Sequence, residues 1–213
     1  MKYSYKIRSV GKEIISEFLE KIKDLREYAV KVKEDALAVR KIAEWLEIEI
    51  EDCSKRNFKN KIKAMKSLER GEKDIAKEII KFIIILDYLM RSMEDEKNEL
   101  KVKLKRIEKD YIRCMREIDK LLNVKVDDLT SSSINRIFRS IARIFRLMIN
   151  LETELDRTNR IIILSRALIE EKRRILEEGI TGDTVKKILQ KIGERNVEEE
   201  FGKILVELKS LSP

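Results

Sequence analysis

The sequence predicts an all-α protein, an elongated antiparallel three-helix coiled-coil bundle with one or two short C-terminal helices covering one end. Three observations carry that expectation. Apolar residues recur at alternating three- and four-residue spacing over spans of some 40 to 50 residues, which is the heptad signature of packed helices. Turn residues are scarce, with one Pro and six Gly in 213 residues, too few for a sandwich, a barrel or a Rossmann domain. Charge is dense: 41% of residues are Asp, Glu, Lys or Arg, against about 25% in an ordinary domain.

The first seam runs Ile15, Phe18, Ile22, Leu25, Ala29, Val32, Ala36, Val39, Ala43, Leu46 and Ile50 without a break, so residues 12–53 read as one helix. Before it, Tyr3, Tyr5 and Ile7 alternate like a short strand, with a frayed terminus as the alternative. Residues 54–71 read as a basic connector, in which Phe58, Ile62, Met65 and Leu68 suggest a short amphipathic helix. A second seam, Ile75, Ile79, Phe82, Leu86, Leu89 and Met93, resumes after a polar step at Leu100, Leu104, Ile107, Tyr111, Cys114, Ile118 and Leu121. This gives a helix over 72–122 with a stutter at the polar step.

The third seam begins after a second connector at 123–131, with Thr130 to Ser133 as its capping run. It runs Ile137, Ile141, Ile144, Met148, Leu151 and Leu155, then through Thr158, Ile162, Ser165, Ile169, Lys172 and Leu176 to Gly179. A helix over 132–178 follows, and residues 1–179 form one long-helix bundle. Residues 180–213 read as a short helical segment packing on that bundle or on a second chain. Its first helix starts from an Asp183 cap, and its second opens at Asn196-Val-Glu-Glu199 like a capping box. The stretches Ile79 to Leu86 and Ile161 to Leu164 are apolar nearly all round, which demands a cover. The tail and a second copy of the chain are the candidates.

There is no His, which removes the commonest general base and metal ligand. Cys53 and Cys114 form no metal or redox spacing. Glu17-x-x-Glu20 with Glu49-x-x-Asp52 fits the carboxylate pattern of the all-α nucleotide pyrophosphohydrolases. On one uninterrupted helix, however, the pairs stand about 45 Å apart and share no metal. Neither a Walker-type loop nor a G-x-G-x-x-G is present, so no cofactor and no small-molecule substrate is expected, and the chain reads as a non-enzyme. The longest strictly apolar run, Phe82 to Leu86, is far short of a membrane span, and a cytoplasmic protein is expected. With 31 Ile, 29 Lys and a single Gln, the composition leans the way thermophilic proteins do.

The net charge is +8, and summed by sequence segment it falls mostly in the connector, where 54–71 carries +6. Lys55, Arg56, Lys59, Lys61, Lys63 and Lys66 are candidate contacts to phosphate or an anionic membrane surface. Their alternative use is to satisfy neighbouring acids. A second stripe, Arg136, Arg139, Arg143 and Arg146, continues in Arg157 and Arg160, with no acid between Leu129 and Leu151. Arginine's planar fork suits phosphate or carboxylate, and the alternative is pairing with carboxylates of a neighbouring helix or chain. Ser131 to Ser133 could cradle an anion at the helix start, but capping accounts for them.

The expected function is therefore that of a helical scaffold or adaptor that binds a macromolecule and self-associates as a homo-oligomer or with a protein partner. Sequence-independent nucleic-acid binding is the alternative reading. A weaker one is a membrane-surface protein that resembles, in architecture, the filament-forming helical hairpins of membrane-remodelling systems.

Overall fold

The computed structural model describes residues 2–124, 130–179 and 182–210, with side chains for all of these except 2–12 and 131. Helices account for nearly all of them: α1 (Lys2–Glu69), α2 (Lys73–Leu122), α3 (Ser131–Glu178), α4 (Asp183–Ile192) and α5 (Glu194–Ser210). No strand occurs among the described residues. The strand and the frayed end expected near Tyr3 are both replaced by helical backbone from Lys2 onward. Among the described residues no helix is long and apolar enough to cross a membrane. The second connector lies largely outside the described residues, as do Ile180 and Thr181 of the break after Gly179.

The main correction concerns the first connector, because α1 runs straight through it to Glu69. The heptad frame continues past Ile50, but its seam is filled by Cys53, Asn57, Ala64 and Ser67, all buried. Small and polar side chains at seam positions hide the period from a hydrophobicity reading. The proposed apolar face is only partly the buried one: Met65 and Leu68 pack against the core, whereas Phe58 is 67% exposed and Ile62 37%. The actual turn is confined to residues 70–72. Gly71 sits at φ +79°, its N–H reaching the Leu68 carbonyl while the Glu72 N–H reaches the Ser67 carbonyl. That is a Schellman ending, which favours glycine at the left-handed position. The Glu72 carbonyl then accepts from the Ala76 N–H to open α2.

The chain packs as two compact units, unit 1 comprising Met1–Lys41 with Leu100–Arg160, and unit 2 comprising Ile42–Glu99 with Ile161–Pro213. In unit 1 the expected seams are the core. Ile15, Ile22, Ala29, Val32, Ala36 and Val39 of α1 are buried, as are Leu100, Leu104, Ile107, Cys114 and Ile118 of α2 and Ile137, Ile141, Ile144, Met148 and Leu151 of α3. Cross-helix partners fix the directions. Arg26 meets Asp119 and Arg40 meets Glu108, so α2 runs antiparallel to α1. Phe18 packs edge-on against Phe138, and the Tyr28 hydroxyl donates to Glu152, so α3 runs parallel to α1. Cys114 against Met148 and Lys103 against Glu154 make α2 and α3 antiparallel.

In unit 2 the same antiparallel sense joins α1 to α2 through Glu47–Lys97 and Asn57–Asp87. At its start the α2 seam lies one residue later than its apolar pattern suggests, at Ala76, Ile80 and Ile83, while Ile75 is 54% exposed; from Leu86 through Leu89 and Met93 the expected positions are buried. No stutter interrupts the frame between Met93 and Leu100, which are one heptad apart, and the half-buried Glu96 and Lys97 occupy the intervening seam step. Part of the expected cover is found in the tail: Ile204 and Leu208 of α5 pack with Ala64, Ile80, Ile83 and Ile84. The other apolar stretch is only half covered, since Ile161 is buried but Ile163 and Leu164 are 67% and 54% exposed.

Two helix starts also differ from expectation. The cap residue of α4 is Gly182, not Asp183, and no side chain of its own caps it. Instead the Glu178 carboxylate at the end of α3 accepts from the Thr184 N–H at 3.0 Å and from its hydroxyl at 2.9 Å. Gly182 permits this approach, because a Cβ there would stand 2.6 Å from Glu178 Oε2. Helix α5 begins at Glu194, and the Asn196 amide donates back to the Ile192 carbonyl rather than capping. The cap expected for α3 is present, with Thr130 Oγ1 accepting from the Ser133 N–H.

Candidate functional site

Unit 1 holds the strongest electrostatic feature. It contains 26 Lys and Arg against 16 Asp and Glu, whereas unit 2 contains 22 against 24. The helical pairing, not the local sequence, produces this concentration. On α3 the seam faces the core, Phe138 and Glu152 face α1, and Arg136, Arg139, Arg143 and Arg146 lie exposed, with the Arg143 charge acting on Glu117 of α2.

Helix α2 supplies a second row that the sequence reading did not single out. Arg106, Lys109, Arg113 and Arg116 repeat the 3, 4, 3 spacing of the arginine stripe and are all exposed. Residues three and four apart share a helix face, so each row is continuous. The pairs Lys103–Glu154 and Cys114–Met148 fix the antiparallel register, which sets Arg113 near the level of Arg146 and Arg116 near that of Arg143. The spacing was readable, but Glu108 and Asp110 interrupt the row in sequence and disguise it. In the fold Glu108 turns to α1, where it binds Arg40 at 2.6 Å.

The acids beneath the rows are already engaged. Glu154 lies 3.1 Å from Lys103 and 2.9 Å from Arg157, and Asp110 lies 3.6 Å from Arg113. Glu117 is held below the usual carboxylate range chiefly by its hydrogen bond to Lys120, assisted by Ser140 and the Arg143 charge. Arg106 and Lys109 border a surface cleft with Asn150, Thr153 and Arg157. Arg106, Lys109, Arg116, Arg136, Arg139, Arg146 and Arg160 make no ion pair among the described residues.

The basic connector belongs to unit 2 and divides in two. Lys55 pairs with Glu51, Arg56 with Asp52 and Lys61 with Glu207 of α5. Lys59, Lys63 and Lys66 are exposed on one face of α1 with no ion pair among the described residues. Half of the connector's cations therefore serve the fold.

The carboxylate pair Glu49 and Asp52 has a structural partner. Lys172, only 2% exposed, donates to Glu49 Oε2 at 2.5 Å and to Asp52 Oδ2 at 2.7 Å, with the Glu49 carbonyl at 3.3 Å. Burial works against the ammonium, but the bonds to Asp52 and Glu49 outweigh it and raise Lys172 above its ordinary range. Burial likewise pushes Asp52 up, and its bonds from Lys172 and Arg56 prevail to hold it low. Glu17 and Glu20 pair with Lys21 and Lys23. Among the described residues no group of three or more His, Cys, Asp or Glu is placed to hold a metal. Burial raises both thiols, Cys53 and Cys114, to about 11, so neither is poised as a nucleophile at neutral pH.

No family model, curated protein or solved structure matches this chain.

Proposed function

We propose that the protein is a helical scaffold that acts by binding nucleic acid without sequence preference, with unit 1 as the contact. The carrying observation is the pair of antiparallel cationic rows on α2 and α3, eight exposed side chains of which six make no ion pair among the described residues. Phosphate backbones reward that arrangement through counterion release, a term indifferent to base sequence. Arginine predominates in the rows, and its fork grips phosphate oxygens in pairs.

The test is fluorescence anisotropy of the full chain with labelled duplex DNA, single-stranded DNA and RNA between 50 and 200 mM salt. Six neutralised phosphates give a log–log salt slope of about −5 on duplex. Replacing Arg116, Arg139 and Arg146 together by Glu should flatten the slope by about 3. Charge reversal at Lys59, Lys63 and Lys66 should change it less. Absence of binding at 50 mM salt, or loss only in the connector variant, overturns the reading. Flotation with anionic vesicles separates it from membrane-surface attachment.

A second reading, self-association, is favoured by Ile163 and Leu164. They leave two large apolar side chains side by side in solvent on α3, in a region where the sequence calls for a cover.

A further inference from the structure

Unit 2 contains a polar group that its own fold leaves unsatisfied. Asn57 is 5% exposed, and its amide nitrogen donates to Asp87 Oδ1 at 2.6 Å and toward the Ile83 carbonyl at 3.4 Å. Its Oδ1 is buried and has no hydrogen-bond partner. Buried acceptors are almost always paired, and an orphaned one destabilises the fold. Asn57 lines a cleft of about 530 Å³ bounded by α1, α2 and α5, a size typical of small-molecule sites.

The remaining lining defines what would fit. Phe58, Ile62, Met65 and Met90 provide apolar walls, Phe58 with its ring largely open to solvent. The charged groups are Asp87, Glu207 and Lys61. Lys61 is already spent, with its ammonium 2.8 Å from both Glu207 oxygens. Burial raises the Asp87 carboxyl, partly opposed by Asn57 and by the charges of Lys61 and Arg91. The cleft therefore offers a poorly solvated carboxylate beside an aromatic face, with the Asn57 oxygen sealed behind it.

We propose that this cleft binds a small organic cation, a protonated amine carried on an apolar body. The ammonium would donate to Asp87, and the body would lie against Phe58 and the methionines. An aromatic face adds attraction for a cation. A carboxylate ligand would meet Asp87 and Glu207 with like charge, and a wholly apolar one would offer Asp87 no donor.

The probe is phenethylammonium, with 3-phenylpropionate as the isosteric acid, titrated into the full chain at pH 7 by calorimetry. Saturable binding of the amine is expected, at least tenfold tighter than of the acid. Asp87→Asn and Phe58→Ser should each weaken it about tenfold. Phe58 is exposed, so its replacement leaves the fold intact, and circular dichroism verifies both variants. Because Glu207 and Leu208 belong to the cleft, the bound amine should also slow hydrogen exchange in α5. No saturable binding at millimolar amine, equal affinity for amine and acid, or indifference to Asp87→Asn refutes the proposal. None of these readouts involves nucleic acid or unit 1, so this site and the cationic rows stand or fall separately.

Discussion

Removing Lys172 and removing its two carboxylate partners should have very unequal effects, although each abolishes both ion pairs of Lys172. The reason is where the surviving charge is left. Lys172 is 2% exposed at a seam position, whereas the Glu49 and Asp52 side chains keep 22% and 41% of their surface in solvent, and Asp52 also keeps Arg56 at 2.8 Å. Lys172→Met places an apolar side chain of similar length in the seam and leaves two acids that reach water. The expected cost is within about 1 kcal/mol, since well-packed apolar replacement of buried ions is often neutral. Glu49→Gln combined with Asp52→Asn strands a buried ammonium on neutral acceptors, at about 3–5 kcal/mol. For a chain of this size that is about 6–20 °C in the unfolding midpoint, measured by circular dichroism at pH 7.

The pH dependence follows from the same geometry. Asp52 is held low, so its contribution is present above the usual carboxylate range and is lost as pH falls through its folded value. Lys172 is held high, so its contribution is lost only as pH rises through its own. Between about pH 5 and pH 9 the contribution of the pair is flat. If Lys172→Met destabilises as much as the double acid replacement, the account of the buried lysine is wrong.

Two further outcomes follow from exposed features. Replacing Ile163 and Leu164 by Lys should leave the unfolding midpoint nearly unchanged and, if these residues join copies of the chain, reduce the mass measured by light scattering to that of a monomer. A parental chain that is already monomeric removes the second reading. Glu178 lies below the usual carboxylate range because the Thr184 N–H and hydroxyl bind its charged form. Amide protection in α4 should therefore hold above that range and fall as acid protonates Glu178; Glu178→Gln should reproduce the loss at pH 7, and protection indifferent to both would exclude the cap.

Much of the fold was legible because heptad spacing is a property of the chain alone. The α1 seam from Ile15 to Ile50 is buried or half-buried throughout, and the period alone places Thr158, Ser165 and Lys172 inside, where they are 0%, 0% and 2% exposed. The failures have definite physical causes. Beyond Ile50 the seam turns to Cys53, Asn57, Ala64 and Ser67, so the period survives while its hydrophobicity does not. From Ile79 to Leu86 nearly every position is apolar, which leaves the frame ambiguous by one residue until α5 is in place. The charge was misplaced for another reason. Sums along the chain favour residues 54–71, whereas pairing α2 with α3 brings together two rows that are far apart in sequence, and α5 neutralises part of the connector.

Heptad repeats carry an intrinsic ambiguity, since a helix moved seven residues along its neighbour presents nearly the same apolar stripe. Lys172 breaks that degeneracy in unit 2. A slip of one heptad in one direction would set its ammonium against Ile42 and Trp45, with no acceptor side chain. A slip in the other would set it against Arg56 and Lys59. Only the observed alignment offers Glu49 and Asp52. A single charged seam residue thus acts as an address, so that helices built from an almost periodic code have one place to stop.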